Sequence, residues 1–176
     1  MSDPFVRSTG VVPWDDASMI SVALVRHAKS DWGDPSLPDH DRPLNARGER
    51  DAPVQAARLA DTGFRPDVIL SSTALRARTT ARAFADEFGV EPDLQSELYA
   101  ASAPELLRAV EEAGLAGADS VLIVAHDPGM TDLACALSGE RIDHMPTCAV
   151  ATFSWDDDDW HVIDSVEPAQ WDLQVP

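Results

Sequence analysis

Three short stretches of this chain hold residues whose types and spacing suit one reaction. Arg26-His27 end the apolar run from Ser21 to Val25, and His126-Asp127 end a second run, Ser120 to Ala125. Arg76 follows Ser71-Ser72, where a third run stops. A guanidinium is a permanently charged fork that matches the oxygens of a phosphoryl group. A histidine near arginines has a lowered pKa, because the added positive charge disfavours the imidazolium and leaves a ring nitrogen free to attack. Together these residues suit nucleophilic phosphoryl transfer, in which His27 takes the group and water later removes it. Arg26, Arg76 and His126 would neutralise charge on the equatorial oxygens. That chemistry requires no metal or other cofactor, and the sequence has no HExxH or other tight ligand pair.

For these residues to meet, the runs that carry them must be neighbouring parallel strands. Ile20 to Val25, Pro66 to Ser72 and Ser120 to Ala125 read as buried strands, and ligands of open α/β sheets sit beyond the carboxyl ends of such strands. Leu94 to Tyr99 suggests a further short strand. Asn45 caps a helix running to about Asp61, with Gly63 behind it; Pro53 should kink this helix or restart it with Asp51 as cap. Ser72 or Thr73 caps a helix from about Ala74 to Phe88, stopped by Gly89. Ser102 and Glu105 have capping-box spacing for a helix to Ala113, closed by Gly114, and a last helix covers about Thr131 to Leu137. Thr147 to Trp155 and Trp160 to Val166 read as a hairpin around Asp156 to Asp159, with Trp155 and Trp160 paired across it and an irregular tail from Glu167. Alternating strands and helices predict a three-layer α/β/α sandwich with a mostly parallel central sheet and an antiparallel C-terminal hairpin.

The 176 residues, 44% of them apolar, suit one globular domain, expected over 20–176 after a flexible extension over 1–19. Thirteen Lys and Arg against 31 Asp and Glu give a formal charge of -18. That field repels nucleic acid and anionic membrane surfaces, so neither is an expected partner, and a phosphate ligand would need a few focused cations. Cys135 and Cys148 read as reduced thiols. The amino end lacks an apolar signal region, which makes the cytoplasm the expected location.

At these residues the sequence resembles the histidine phosphatase superfamily (phosphoglycerate mutase-like), and within it the SixA-type phosphohistidine phosphatases. The resemblance rests on Leu24 to Ser30, Asp41 to Gly48, Ser71 to Ala81 and Val124 to Gly129. It implies that His27 is the phosphorylated nucleophile and that Arg26, Arg76 and His126 form the phosphate pocket, with Ser30 placing a hydroxyl beside it. Many relatives have Gly where this chain has Ala28, which would narrow the pocket. Larger relatives carry a glutamate acid in an insert; here the segment is short, with Glu97 its obvious candidate, while Asp127 matches the acid of another branch or serves a turn before Pro128. Imidazole needs less help from an acid than an alkoxide does when it leaves. A pocket with no clear acid therefore favours a phosphorylated protein carrying phosphohistidine as substrate. A small phosphorylated metabolite is the alternative, and a non-catalytic phospho-ligand module ranks last. Arg42 and Arg47 are expected to border the crevice, Thr80 to buttress the Arg76 side chain, and His40, His144 and His161 to lie at the surface.

Overall fold

The computed structural model describes residues 20–176; the expected extension over 1–19 lies outside them. Six strands form one mixed sheet: β1 (Ile20–Arg26), β2 (Val68–Ser72), β3 (Pro92–Gln95), β4 (Ser120–Ala125), β5 (Val150–Trp155) and β6 (Gln170–Gln174). Their order is β3-β2-β4-β1-β5-β6. The first four are parallel, and β5 and β6 are antiparallel to their neighbours. The strands bearing the candidate residues, β2, β4 and β1, are therefore contiguous, and their carboxyl ends share one edge of the sheet.

Alternation along β1 builds the layers, because successive side chains of a strand point to opposite faces. Ala23 and Val25 pack with Ala56 and Leu59 of α1 (Ala46–Asp61) and Ala77, Ala81 and Phe84 of α2 (Leu75–Phe88). Val22 and Leu24 pack with Leu106 and Val110 of α3 (Ala103–Leu115) and Met130 and Leu133 of α4 (Gly129–Leu137). Every residue of β4 and β5 is buried, as expected for strands covered on both faces. No helix among the described residues is long and apolar enough to cross a membrane.

Several local expectations change. Pro53 does not restart α1, which runs continuously from its Asn45 cap to Asp61 with Pro53 inside it. Pro53 and Glu49, whose carbonyl loses its helical partner, are both exposed, so water can replace the missing bond. The N-cap of α2 is Ala74, without a side-chain bond, and the Ser72 hydroxyl instead accepts from Ala74 N–H just ahead of the helix. β3 begins at Pro92, and Ser96–Leu98 form a 3₁₀ turn instead of a strand. Gly114 does not stop α3; it lets the Trp160 ring approach, since a Cβ there would lie 2.0 Å from that ring. The partner of β5 is β6, so the tail beyond Glu167 is not irregular and the hairpin is wider than expected. Trp160–Val162 form a 3₁₀ turn whose apolar residues cover the core, which is why their pattern imitated a strand. Trp155 and Trp160 are not a cross-strand pair: their indole N–H groups donate to Val166 O and Ala118 O.

Candidate active site

The backbone at the end of β1 is tied from two sides. His27 N–H donates to Ala125 O of β4, and Cys148 N–H is shared between Arg26 O and His27 O. Beyond it, Ala28 N–H donates to Thr80 Oγ1 at 2.9 Å, and that hydroxyl donates to Arg76 O at 2.7 Å. Thr80 thus buttresses the backbone of both segments and not the Arg76 side chain. Ala28 packs with Leu44, Ala52 and Cys148, so its methyl faces the core and does not narrow the pocket. Gly48 sits against Lys29, where a Cβ would lie 2.3 Å from Lys29 O, fixing the first turn of α1 on this loop.

A cavity of about 370 Å³ opens at these strand ends, and its lining includes Arg26, His27, Ser30, Arg76, His126 and Asp127. The structure thus brings together six of the seven residues singled out. Glu97, the seventh, is exposed outside the lining, and Arg47 pairs with Asp51 on the surface. His144 and His161 are exposed, whereas His40 is half-buried, edge-on to Tyr99 and within hydrogen-bond distance of Thr73 Oγ1.

His27 is 8% exposed, and its Nδ1 lies 2.8 Å from Ala28 O. A carbonyl only accepts, so Nδ1 carries the ring proton and Nε2 keeps its lone pair. That nitrogen accepts from Arg76 Nε at 3.3 Å. Burial, more than the surrounding Arg76, Arg26 and Arg42 charges, pushes the His27 pKa down to about 4, against a raising contribution from the Ala28 bond. His126 lies with its ring centroid 5.0 Å from that of His27. Burial first, then His27 and Arg76, lowers its pKa to about 3. Lowered histidines follow from the sequence, but the leading cause is loss of water and not the arginines. Ser72 Oγ accepts from Ala74 N–H and lies 2.8 Å from His126 Nε2. The other ring nitrogen, His126 Nδ1, is buried without a partner.

Arg26 Nη1 reaches Asp127 Oδ2 at 2.7 Å and Met145 O at 2.6 Å, leaving its buried Nε unpartnered. The other Asp127 oxygen accepts from Thr131 N–H and Oγ1, so this residue pins the turn into α4. Arg76 is held by Asp39, which sequence reasoning missed. Its Nη1 donates to Asp39 O at 2.6 Å and its Nη2 to Asp39 Oδ2 at 2.9 Å. Tyr99 Oη also donates to Oδ2, at 2.7 Å. That bond, ahead of Arg76 and against a desolvation effect that raises it, holds the Asp39 carboxyl below its ordinary range. One of several aspartates in a proline-rich loop carries no distinguishing signal. Tyr99, the chain's only tyrosine, stood two residues from Glu97 in the stretch searched for an acid. Arg42 does border the cavity, with Nη2 donating to Ser30 Oγ at 2.7 Å. Among the described residues no His, Cys, Asp or Glu side chains group in threes as a metal ion would need.

Residues 22–103 match the model of the histidine phosphatase superfamily (branch 1). An uncharacterized protein of Mycobacterium tuberculosis is 32% identical over 139 residues, covering 72% of this chain and 84% of that one. A solved structure from Agrobacterium tumefaciens that bears the name SixA is 32% identical, with a TM-score of 0.73, covering 89% of this chain and 99% of that one. The protein histidine phosphatase SixA complexed with tungstate, 21% identical with a TM-score of 0.70, covers 89% and 95% and shows likeness of fold. A sheet whose three contiguous parallel strands deliver Arg26-His27, Arg76 and His126 to one cavity thus coincides with matched relatives over most of the chain, which belongs to the histidine phosphatase superfamily and is of the SixA type.

Proposed function

We propose that this protein is a phosphatase that works through a phosphoryl group carried on His27 Nε2, and that its substrate is phosphohistidine on a protein. The observation that carries the reading is the His27 tautomer: Nδ1 spends its proton on Ala28 O, so Nε2 keeps an unprotonated lone pair, occupied only by the long 3.3 Å bond from Arg76 Nε that a phosphoryl group would displace. Attack by Nε2 on phosphorus forms the P–N bond as the bond to the leaving group breaks. Water then attacks phosphorus, the P–Nε2 bond breaks, and inorganic phosphate leaves with the imidazole restored. The partnerless nitrogens Arg26 Nε and His126 Nδ1 belong to residues lining the cavity, and phosphoryl oxygens would accept from Nε and from Nδ1 in its protonated form.

The substrate follows from the leaving group. Both carboxylates of the cavity are ion-paired with arginines, Asp127 with Arg26 and Asp39 with Arg76. Neither is a ready proton donor for a departing alkoxide, whereas imidazole protonated on its far nitrogen leaves without one. Likeness to SixA proteins supports the same substrate. In this reading residues 20–176 act as one catalytic unit, the arginines supply the positive charge without a metal, and free thiols at Cys135 and Cys148 accord with the cytoplasm.

The test compares kcat/KM for a phosphohistidine peptide, p-nitrophenyl phosphate and a panel of sugar phosphates, alongside trapping of labelled enzyme by an alkaline denaturing quench, in which the P–N bond survives. Preference for the peptide, with label on wild type and none on His27→Ala, is expected. Preference for a sugar phosphate overturns the substrate, and undiminished turnover by His27→Ala overturns the mechanism.

A further inference from the structure

Arg42 is 7% exposed, yet most of its donors have no acceptor. Of the five N–H groups of a guanidinium, one on Nη2 serves Ser30 Oγ, while Nε and Nη1 are buried without a hydrogen-bond partner. The nearest carboxylate oxygen, Asp39 Oδ1, lies 3.5 Å from Nε, an ion pair but not a hydrogen bond. Trp32 covers the planar face, with its ring centroid 3.4 Å from Arg42 Cζ, and is itself 71% exposed at the rim of the same cavity. Stacking on an aromatic face offsets part of the cost of burying the cation but leaves the in-plane donors unmet.

We infer that Arg42 is a further guanidinium ligand of the phosphoryl oxygens, held for that task between Ser30 and the Trp32 ring, an assignment that rests on the phosphatase reading. Ser30 and Leu44 are joined by a backbone bridge, so the loop between them closes on itself and keeps Arg42 at the cavity wall. The positive charge of Arg42 is felt by His27, which places it near the nucleophile. Ser30 Oγ accepts from Arg42 and keeps its own proton to donate, so the pair presents donors of the kind an anion needs. Trp32 then acts as a positioning residue: it touches the guanidinium and fixes its plane.

The experiment measures the inhibition constant of inorganic phosphate, with kcat and KM for p-nitrophenyl phosphate, on wild type, Arg42→Ala, Arg42→Lys, Trp32→Ala and Trp32→Phe. Loss of even one charge-assisted bond predicts that Arg42→Ala raises the inhibition constant and KM together by at least about 10- to 100-fold. Arg42→Lys recovers little, because an ammonium neither stacks flat nor forks. Trp32→Phe keeps phosphate affinity and Trp32→Ala weakens it by a few-fold. A purely structural strut would lower the melting temperature and kcat and leave phosphate inhibition in place. A rise of less than about threefold in folded Arg42→Ala, or in Arg42→Lys should the alanine variant not fold, overturns the assignment. If wild type hydrolyses no phosphoryl compound and is not inhibited by millimolar phosphate, the phosphatase reading falls and takes this one with it.

Discussion

Removing the Asp39 carboxylate tests whether Arg76 is aimed or merely present. In the folded protein the Arg76 side chain is 7% exposed and that of Asp39 is 51% exposed. Asp39→Ala deletes the Nη2 and Tyr99 bonds to Oδ2 but leaves Nη1 on Asp39 O. A hydrogen bond to a charged group contributes about 1.5–3 kcal/mol, and solvent around a half-exposed carboxylate cuts this to about 1–1.5 kcal/mol. At about 1.4 kcal/mol per factor of ten, kcat/KM should fall about 5- to 15-fold. Asp39→Asn, whose amide oxygen still accepts, should lose only a few-fold, and neither variant should melt far below wild type. The assay is steady-state kinetics on p-nitrophenyl phosphate with inorganic phosphate as inhibitor. Unchanged kcat/KM in Asp39→Ala would refute the reasoning. So would tighter phosphate binding, since the carboxylate would then be an occupant of the site and not its aligner.

The two buried histidines fix the pH behaviour. Their folded pKa values, about 4 and about 3, lie below the ordinary 6.5, so the unfolded chain takes up protons that the folded chain refuses. Their contribution to stability is complete above pH 6.5 and drains as pH falls through 4 towards 3, on the order of several kcal/mol in total. Urea midpoints at pH 7, 6 and 5 should decline in that order. The acid limb of kcat/KM, corrected for substrate ionisation, should lie nearer pH 4 than 6.5, and a limb between 6 and 7 would refute a neutral buried nucleophile. Thr80→Val leaves Ala28 N–H buried without its acceptor, so stability should drop by about 1–3 kcal/mol, read by denaturant titration, with loss of kcat. Gly48→Ala would drive a Cβ into Lys29 O, and about 1–3 kcal/mol of destabilisation with reduced turnover should follow, checked by melting and kinetics.

The parallel half of the fold was legible because β1, β2 and β4 are short apolar runs ended by charged or hydroxyl residues, and because Asn45, Gly89 and Ser102 punctuate the helices as their side chains dictate. The convergence of Arg26, His27, Arg76 and His126 could be read from the positions of those strand ends. What escaped was set by tertiary contact. Gly114 looks like a helix stop until the Trp160 ring is seen against it. Residues 160–163 look like a strand because the core needs apolar cover there, whatever the backbone does. Asp39 escaped for a related reason: its task depends on an arginine 37 positions away, and nothing local separates it from Asp34 or Asp41.

Cys148 N–H, shared by the carbonyls of Arg26 and His27, has a bearing on how the protein comes into being. β1 needs β5 as its second neighbour, and Gln55 Nε2 reaches both Cys148 O and Gln174 O. During synthesis the first strand therefore waits, with the backbone of Arg26 and His27 unbraced, until residues near the carboxyl end have left the ribosome. A polypeptide cut short before Cys148 would carry Arg26, His27, Arg76 and His126 and still lack the clasp that holds the backbone at the end of β1, so the candidate site is assembled only when the last strands arrive.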